Sequence, residues 1–302
     1  MLFEISPCDS GGAHAGDPKD LIDLLDLVES RMLELIEPSS ELSDRANTAG
    51  AATYHLASGG QRVRARLALW SAKALGLSDA DAVCLASCVE LLHNASLIHD
   101  DLQDQEQYRR GIETVSAAYG NHIAICTGDL LLSAAYAALT HFSNPRLLPE
   151  LMSLVHQRTS IVISGQCDAL PPTGDASLDM SLYERIASKK SGSLLSLPIE
   201  LALVGSANQK SITAARHAAE HFAIGYQILD DMHDVEEDAD SHAVNAVLVL
   251  QASTQGDLSA AREVARAYGR QHLDEAILGI GELPDGSGAL LQELAQKLRD
   301  RL

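Results

Sequence analysis

The sequence predicts an all-α protein, on three observations. Long segments rich in Ala and Leu carry apolar residues at spacings of three and four, the period of a helix with one buried face. Alternating strand patterns are scarce, and aromatic residues make up only 4% of the chain. The nine prolines cluster at breaks such as Pro145, Pro149, Pro171, Pro172 and Pro284. With 46% hydrophobic residues over 302 positions, the chain can bury a substantial core.

Taken in order, residues 1–18 include SGGAHAGDP and are expected to form a flexible polar tail, so that the fold begins near Pro18. DLIDLLDLVESRMLELI (20–36) is the first amphipathic helix. Breaks are expected at ASGGQR (57–62), GLSDAD (76–81), FSNPRLLP (142–149), LPPTGDASLD (170–179), GSANQKS (205–211) and LPDGSG (283–288). GALLQELAQKLRDRL (288–302) closes the chain as a further helix. None of the breaks is long or polar enough to act as a linker, so a single helical domain over 19–302 is expected.

The formal charge of -20 repels nucleic acid and anionic membranes at long range, so neither is an expected partner. An anionic substrate would need local cations to draw it in. Cys84 and Cys88 are spaced i, i+4 among apolar neighbours, which fits buried core thiols; no second pair completes a zinc site, and a reducing, cytoplasmic setting is expected. Residues 1–18 lack the pattern of a secretion signal, and no run of about 18 apolar residues marks a membrane span. Stable membrane insertion is therefore not expected.

The segment LIHDDLQDQEQYRRG (97–111) follows an apolar run and gathers carboxylates, then arginines. On a helix Asp100 and Asp104 share a face, and their charges repel unless a cation lies between them. The pattern returns in LDDMHD (229–234), again behind an apolar run. A lone Asp-Asp-x-x-Asp can be a solvated acidic face. Two copies, built from a residue that disfavours helix interiors, point to function. In a bundle, two such helices can face each other across a cavity and lower six carboxylates toward one volume. Oxygen-only ligands suit Mg²⁺, which is usually shared between carboxylates and a phosphate, and Arg109 and Arg110 are natural phosphate partners.

The order and spacing of GGQRVR (59–64), ELLHNASLIHDDLQDQEQYRRG (90–111), GDLLL (128–132), GQCD (165–168), SKKSGSL (188–194) and YQILDDMHD (226–234) resemble the trans-isoprenyl diphosphate synthases, over roughly residues 18–302. The resemblance implies an antiparallel helical bundle around a central cavity (the isoprenoid synthase fold), a homodimer and a trinuclear Mg²⁺ cluster. It implies condensation of an allylic diphosphate with isopentenyl diphosphate. Ionising the allylic C–O bond is the hard step, and cations placed beforehand make pyrophosphate a tolerable leaving group.

By this resemblance Asp100, Asp104 and Asp230 are the principal metal ligands, with Asp101, Asp231 and Asp234 in support. Arg109 and Lys190 would hold the allylic diphosphate, and Gln227 would lie close to the reacting carbons. Gln61, Arg62, His93 and Arg110 occupy the positions that hold isopentenyl diphosphate. Two departures stand out. Gln61 replaces a lysine, so the acceptor should bind more weakly or differently unless Arg64 compensates. The stretch VEEDADSHAVNAVLVL (235–250) lacks the lysines expected after the second motif, so two cations for the allylic diphosphate are missing unless Lys189 or another residue fills in.

Plainer readings stand beside these. His93 and His99 lie on a mostly apolar helix, where a histidine is usually just hydrogen-bonded; the resemblance argues otherwise only for His93. Gly59 and Gly60 can be a simple turn, Lys189 and Lys190 a solvated helix end, and Gly165 of GQCD a point of close helix packing. Glu236, Glu237, Asp238 and Asp240 read as a solvated loop. Ala95 and Ser96, one turn before the first motif, are small where family members that stop at farnesyl length commonly carry an aromatic. The expected product is therefore geranylgeranyl (C20) diphosphate or longer. Terpene-synthase chemistry, another acceptor, and a noncatalytic synthase subunit are the alternatives; the last is least favoured, because all six carboxylates are kept.

Overall fold

The computed structural model describes residues 18–37, 48–168, 179–241 and 244–302. The expected tail and most of the expected break at 170–179 lie outside these residues. The described chain is all-α apart from one two-stranded hairpin, and it falls into two compact units, one ending at Met152 and one beginning at Ser153.

In the first unit α1 (Pro18–Ile36) is followed by α2 (Thr48–Ala57), α3 (Val63–Ala74) and α4 (Asp79–Gln103). Strands β1 (Tyr108–Arg109) and β2 (Ile112–Glu113) then pair antiparallel, before α5 (Val115–Tyr119) and α6 (Asn121–Leu139). Helix α4 is the centre of this unit and packs against α6, α3 and α1. It is apolar nearly all round from Ala82 to Leu92, the pattern of a helix buried on every side. Ser78 caps it by accepting the Asp81 N–H at 3.1 Å, and Asp79 and Asp81 complement the positive end of its dipole. The Asp81 carboxylate also takes the N–H and hydroxyl of Ser143, each at 2.7 Å, fixing the turn beyond α6. Cys84 and Cys88 are buried, as their spacing implies, and burial pushes the Cys84 thiol up to about 12 and the Cys88 thiol higher still.

One expectation needs correction. Helices α4 and α6 do reach the length and hydropathy of a membrane span, by composition. In α4 that window is 78% buried, so its apolar surface serves a protein core. In α6 it is 44% buried, with Ile125 left 46% exposed.

Helix α7 (Leu148–Asp168) carries the chain from the first unit into the second. There α8 (Met180–Ala187) runs through a π-helical turn, Ser188–Gly192, into α9 (Ser193–Gly205). Helices α10 (Ile212–Ser241), α11 (Ala246–Ser253), α12 (Leu258–Ile280) and α13 (Ala289–Arg299) complete it. Helix α10 packs against α12, α9 and α11. The packing of α10 on α12 needs Gly225, since a Cβ there would meet Leu273 Cγ at 2.6 Å. Pro198 lies inside α9, against the expectation that prolines mark breaks; the helix is buried from Ser193 to Val204, so its packing outweighs the lost backbone bond.

The second unit also encloses a charge pair that sequence periodicity does not reveal. Arg158 of α7 donates from Nε and Nη2 to the two oxygens of Glu200, both at 2.8 Å, and Glu200 is fully buried. Arg216 adds a longer contact at 3.4 Å. Replacing Glu200 by Gln would leave the Arg158 guanidinium buried without its counter-charge. The expected loss is about 3–5 kcal/mol of unfolding free energy, measured by urea denaturation.

Candidate active site

In the first unit the site residues collect around the loop between α2 and α3. Gly59 and Gly60 have φ of 75° and 130°, a path that side-chain-bearing residues rarely follow, and Arg62 continues at φ 50°. Opposite the loop, β1 and β2 are joined by Arg110 and Gly111, both with positive φ (54° and 82°), as a two-residue hairpin turn requires. The turn lays the Arg110 guanidinium on the glycine loop, where it donates to the Gly59 carbonyl and, at 3.4 Å, to Ser58 Oγ. A Cβ on Gly60 would sit 2.7 Å from that guanidinium. The second glycine therefore makes room for an arginine, which answers the plainer reading of a simple turn.

The remaining cations of this region are each held by a named partner. Arg62 donates to Glu29 Oε1 at 3.0 Å, to the Leu56 carbonyl at 2.8 Å and to Glu90 Oε1 at 3.5 Å. Arg64 Nη1 lies 3.1 Å from His93 Nε2. Arg109 Nε donates to Asp101 Oδ1 at 2.7 Å. Gln61 keeps its side-chain oxygen buried without a hydrogen-bond partner. The crowding of positive charge shows in the neighbouring groups. Burial, then Arg64 and Arg110, hold the His93 imidazole well below its ordinary range. Burial, then Arg110 and Arg109, bring His55 down to about 4. Burial and the charges of Arg109 and Arg62 lower Arg110 as well. Positive charge crowded in this way would attract an anion at short range.

The first aspartate motif forms the last turn of α4. Asp104 is its C-cap, with its N–H on the Asp100 carbonyl at 2.9 Å. Asp101 points inward and is buried, one oxygen on Arg109 and the other without a partner. Asp100 is half-buried and Asp104 exposed. His99 follows the plain reading: its Nε2 lies 3.4 Å from the Ile125 carbonyl and over Gly128, where a Cβ would collide with it. Ala95 is buried, and Ser96 gives its hydroxyl to the His93 carbonyl at 2.8 Å.

The second motif, in the other unit, also lies where a helix loses its regularity: Asp234 has φ -103° and ψ 15° within α10. Asp230 is half-buried, and burial followed by the Asp234 charge raises its carboxyl above the usual range. Asp231 is buried, its Oδ1 accepting from Gln227 Nε2 at 2.9 Å and its Oδ2 from the Ala246 N–H at 2.7 Å; burial raises it to about 6. Gln227 thus orients an aspartate. Lys189 and Lys190 occupy the π-helical turn, half-buried, against Gly165, where a Cβ would sit 2.7 Å from Lys189 Cβ. That close approach bears out packing as the role of Gly165. In the acidic tract Glu236 is exposed, as a solvated segment requires, whereas Asp238 is bonded to Asn245; the side chains of Glu237 and Asp240 lie outside the described set.

The donors fit a hard divalent cation. They are oxygens only, they repel one another, and the final turn of α4 contains no basic residue to answer the negative end of its dipole. Among the described residues no three His, Cys, Asp or Glu side chains converge closely enough to hold an ion by themselves. An ion at either motif would complete its shell from water and phosphate oxygens, the habit of Mg²⁺. Sequence reasoning missed two residues. Glu90, buried in α4, binds Arg62 and the Ala65 N–H, and its signal was a lone carboxylate in an apolar run. Asn245 had no signal beyond its place before a helix.

The sequence profile of the family described as Polyprenyl synthetase matches residues 46–246. A short chain isoprenyl diphosphate synthase of Methanothermobacter thermautotrophicus is 31% identical over 63% of this chain and 59% of that protein. A farnesyl diphosphate synthase of Geobacillus stearothermophilus is 31% identical over 68% and 70%. The solved geranylgeranyl pyrophosphate synthetase of Geoglobus acetivorans superposes with a TM-score of 0.81 at 25% identity, covering 93% of this chain and 99% of the other. The chain belongs to the polyprenyl synthetase family and has its all-α isoprenoid synthase fold. Against the first of these relatives the matched region spans somewhat over half of that protein's length.

Two outcomes are expected. Gly60→Ala would displace Arg110 and weaken inorganic pyrophosphate binding, measured by calorimetry, by about tenfold, the scale of one lost charge-assisted contact. In the second unit His221 of α10 lies with its Nδ1 2.8 Å from His272 Nδ1, and burial, then His272 and His217, bring it down to about 4 as well. These lowered imidazoles give a pH signature: the unfolded chain takes up protons near pH 6.5 and the folded chain only toward pH 4 for His55 and His221, so their contribution is complete above about pH 6.5 and is lost as pH falls toward 4. Asp231, raised to about 6, works in the opposite sense. The check is therefore a difference: between about pH 7 and pH 5 the urea midpoint of His221→Gln should fall less than that of the wild type.

Proposed function

We propose that this chain is a Mg²⁺-dependent trans-prenyltransferase. It would join an allylic diphosphate to isopentenyl diphosphate, releasing pyrophosphate and a proton and leaving a longer trans-polyprenyl diphosphate. The observation that carries the reading is the arginine and histidine group held against the Gly59–Gly60 loop, beside carboxylates at the end of α4. Such a region can bind a diphosphate only when both the charge and a metal are supplied locally on a chain of net charge -20.

Arg110, Arg64 and neutral His93 are the groups for the acceptor diphosphate, with Arg62 and Gln61 shaping the loop that carries them. Arg109, held by Asp101, and Lys190 are the groups for the allylic diphosphate. Asp100 and Asp104 in the first unit, and Asp230 and Asp234 in the second, would hold Mg²⁺; Asp101 and Asp231 support them through Arg109 and Gln227. When bound, Mg²⁺ supplies Lewis-acid stabilisation of the leaving diphosphate. Fixed guanidiniums add charge that needs no reorganisation as the C–O bond breaks.

The relatives bear names of differing chain length, short-chain, farnesyl and geranylgeranyl, so length is read from this chain. Small Ala95 and Ser96 favour geranylgeranyl diphosphate. A homodimer is part of the proposal, supported by the exposed Ile125 and Tyr119, as is a cytoplasmic setting, supported by four free cysteines among the described residues. A second reading, an allylic diphosphate consumed with another acceptor, is favoured by the uncharged Gln61.

Incubating the protein with Mg²⁺, isopentenyl diphosphate and dimethylallyl, geranyl or farnesyl diphosphate should give a geranylgeranyl product by mass spectrometry. Asp100→Ala should reduce the rate at least a hundredfold, the scale of removing charge stabilisation from a transition state. Allylic diphosphate consumed without elongation would establish the second reading.

A further inference from the structure

The structure assigns Asn245 as a positioning residue for the second aspartate motif, a role that rests on the metal-dependent reading above. Asn245 is fully buried and every polar atom of its side chain is engaged. Its Nδ2 donates to the Asp231 carbonyl at 2.8 Å and to Asp238 Oδ2 at 2.7 Å. Its Oδ1 accepts the N–H groups of Val247 at 2.9 Å and Leu248 at 3.4 Å, capping α11. The next N–H, of Ala246, takes Asp231 Oδ2 at 2.7 Å. One side chain thus locks the start of α11 onto the backbone of α10 within the motif.

The place of the lock matters. Asp234 breaks the regular backbone of α10, which loosens the carbonyls of the turn before it. Asn245 meets one of these, at Asp231, and fixes the turn that carries Asp230 and Asp234 on either side. Arg262 Nη1 holds the following carbonyl, of Met232, at 3.1 Å. Among the described residues Asp230 and Asp234 have no such attachment of their own, so there their carboxylates are aimed by the backbone that Asn245 holds. Fixing ligand direction through neighbours of this kind commonly changes metal affinity by about 10–100-fold.

Asn245→Asp tests the inference, because it keeps the helix cap while removing both amide donors. Mn²⁺, read by electron paramagnetic resonance with inorganic pyrophosphate present, replaces Mg²⁺ and reports binding without turnover. In the full chain with wild-type circular dichroism, Asn245→Asp should bind Mn²⁺ about tenfold more weakly. Asp238→Asn, which leaves the bond to Asp231 in place, should stay within about twofold of wild type. Wild-type Mn²⁺ affinity in folded Asn245→Asp would overturn the inference, and so would an equal loss in Asp238→Asn. Asn245→Ser, which caps but cannot donate as an amide, gives the same reading should Asn245→Asp fail to fold. Tight Mn²⁺ binding by the wild type without any condensation would instead remove the prenyltransferase reading and leave the role of Asn245 standing.

Discussion

Like charges held at close quarters are the constraint on which the rest of this molecule depends. In the first unit Arg62, Arg64, Arg109 and Arg110 surround two imidazoles, and each guanidinium is anchored by a partner that fixes its direction. Left to themselves these groups would spread into solvent. The left-handed backbone at Gly59, Gly60 and Arg62, the tight Arg110–Gly111 turn and the buried carboxylate of Glu90 exist to prevent that. Burial and the same crowding of positive charge keep both imidazoles neutral.

The aspartate motifs pose the opposite problem and solve it with less. Each places carboxylates at a helix end or helix break, where the backbone dipole is unfavourable or the ladder is interrupted. In each motif the middle aspartate turns inward and is bound, Asp101 by Arg109 and Asp231 by Gln227 and Ala246, while its neighbours remain more open. The inward member gives the motif rigidity, and the outer members would serve as ligands in the proposed reading. This division of labour makes two adjacent aspartates more useful than one.

The polar contacts within the protein therefore differ in kind. The Arg158–Glu200 pair is closed on both sides and belongs to the core of the second unit. The pairs around the glycine loop are open on one side, since Arg109 and Arg110 retain exposure while bonded.

The sequence by itself determined the helical class, the breaks at 57–62, 76–81, 142–149, 205–211 and 283–288, and the family. Period and turn chemistry are local, so they can be read from neighbours along the chain. It also identified the doubled aspartates and their arginines, because residue type at short spacing is local too. Only the tertiary structure decided which aspartate faces inward, that Gly60 makes room for Arg110, that Glu90 anchors Arg62, and that Asn245 grips Asp231 from 14 residues away. It decided too that α4, apolar enough for a membrane, lies in a protein core. Each of these depends on which surfaces meet after folding, and a hydrogen bond between distant residues leaves no period in the sequence for a reader to find.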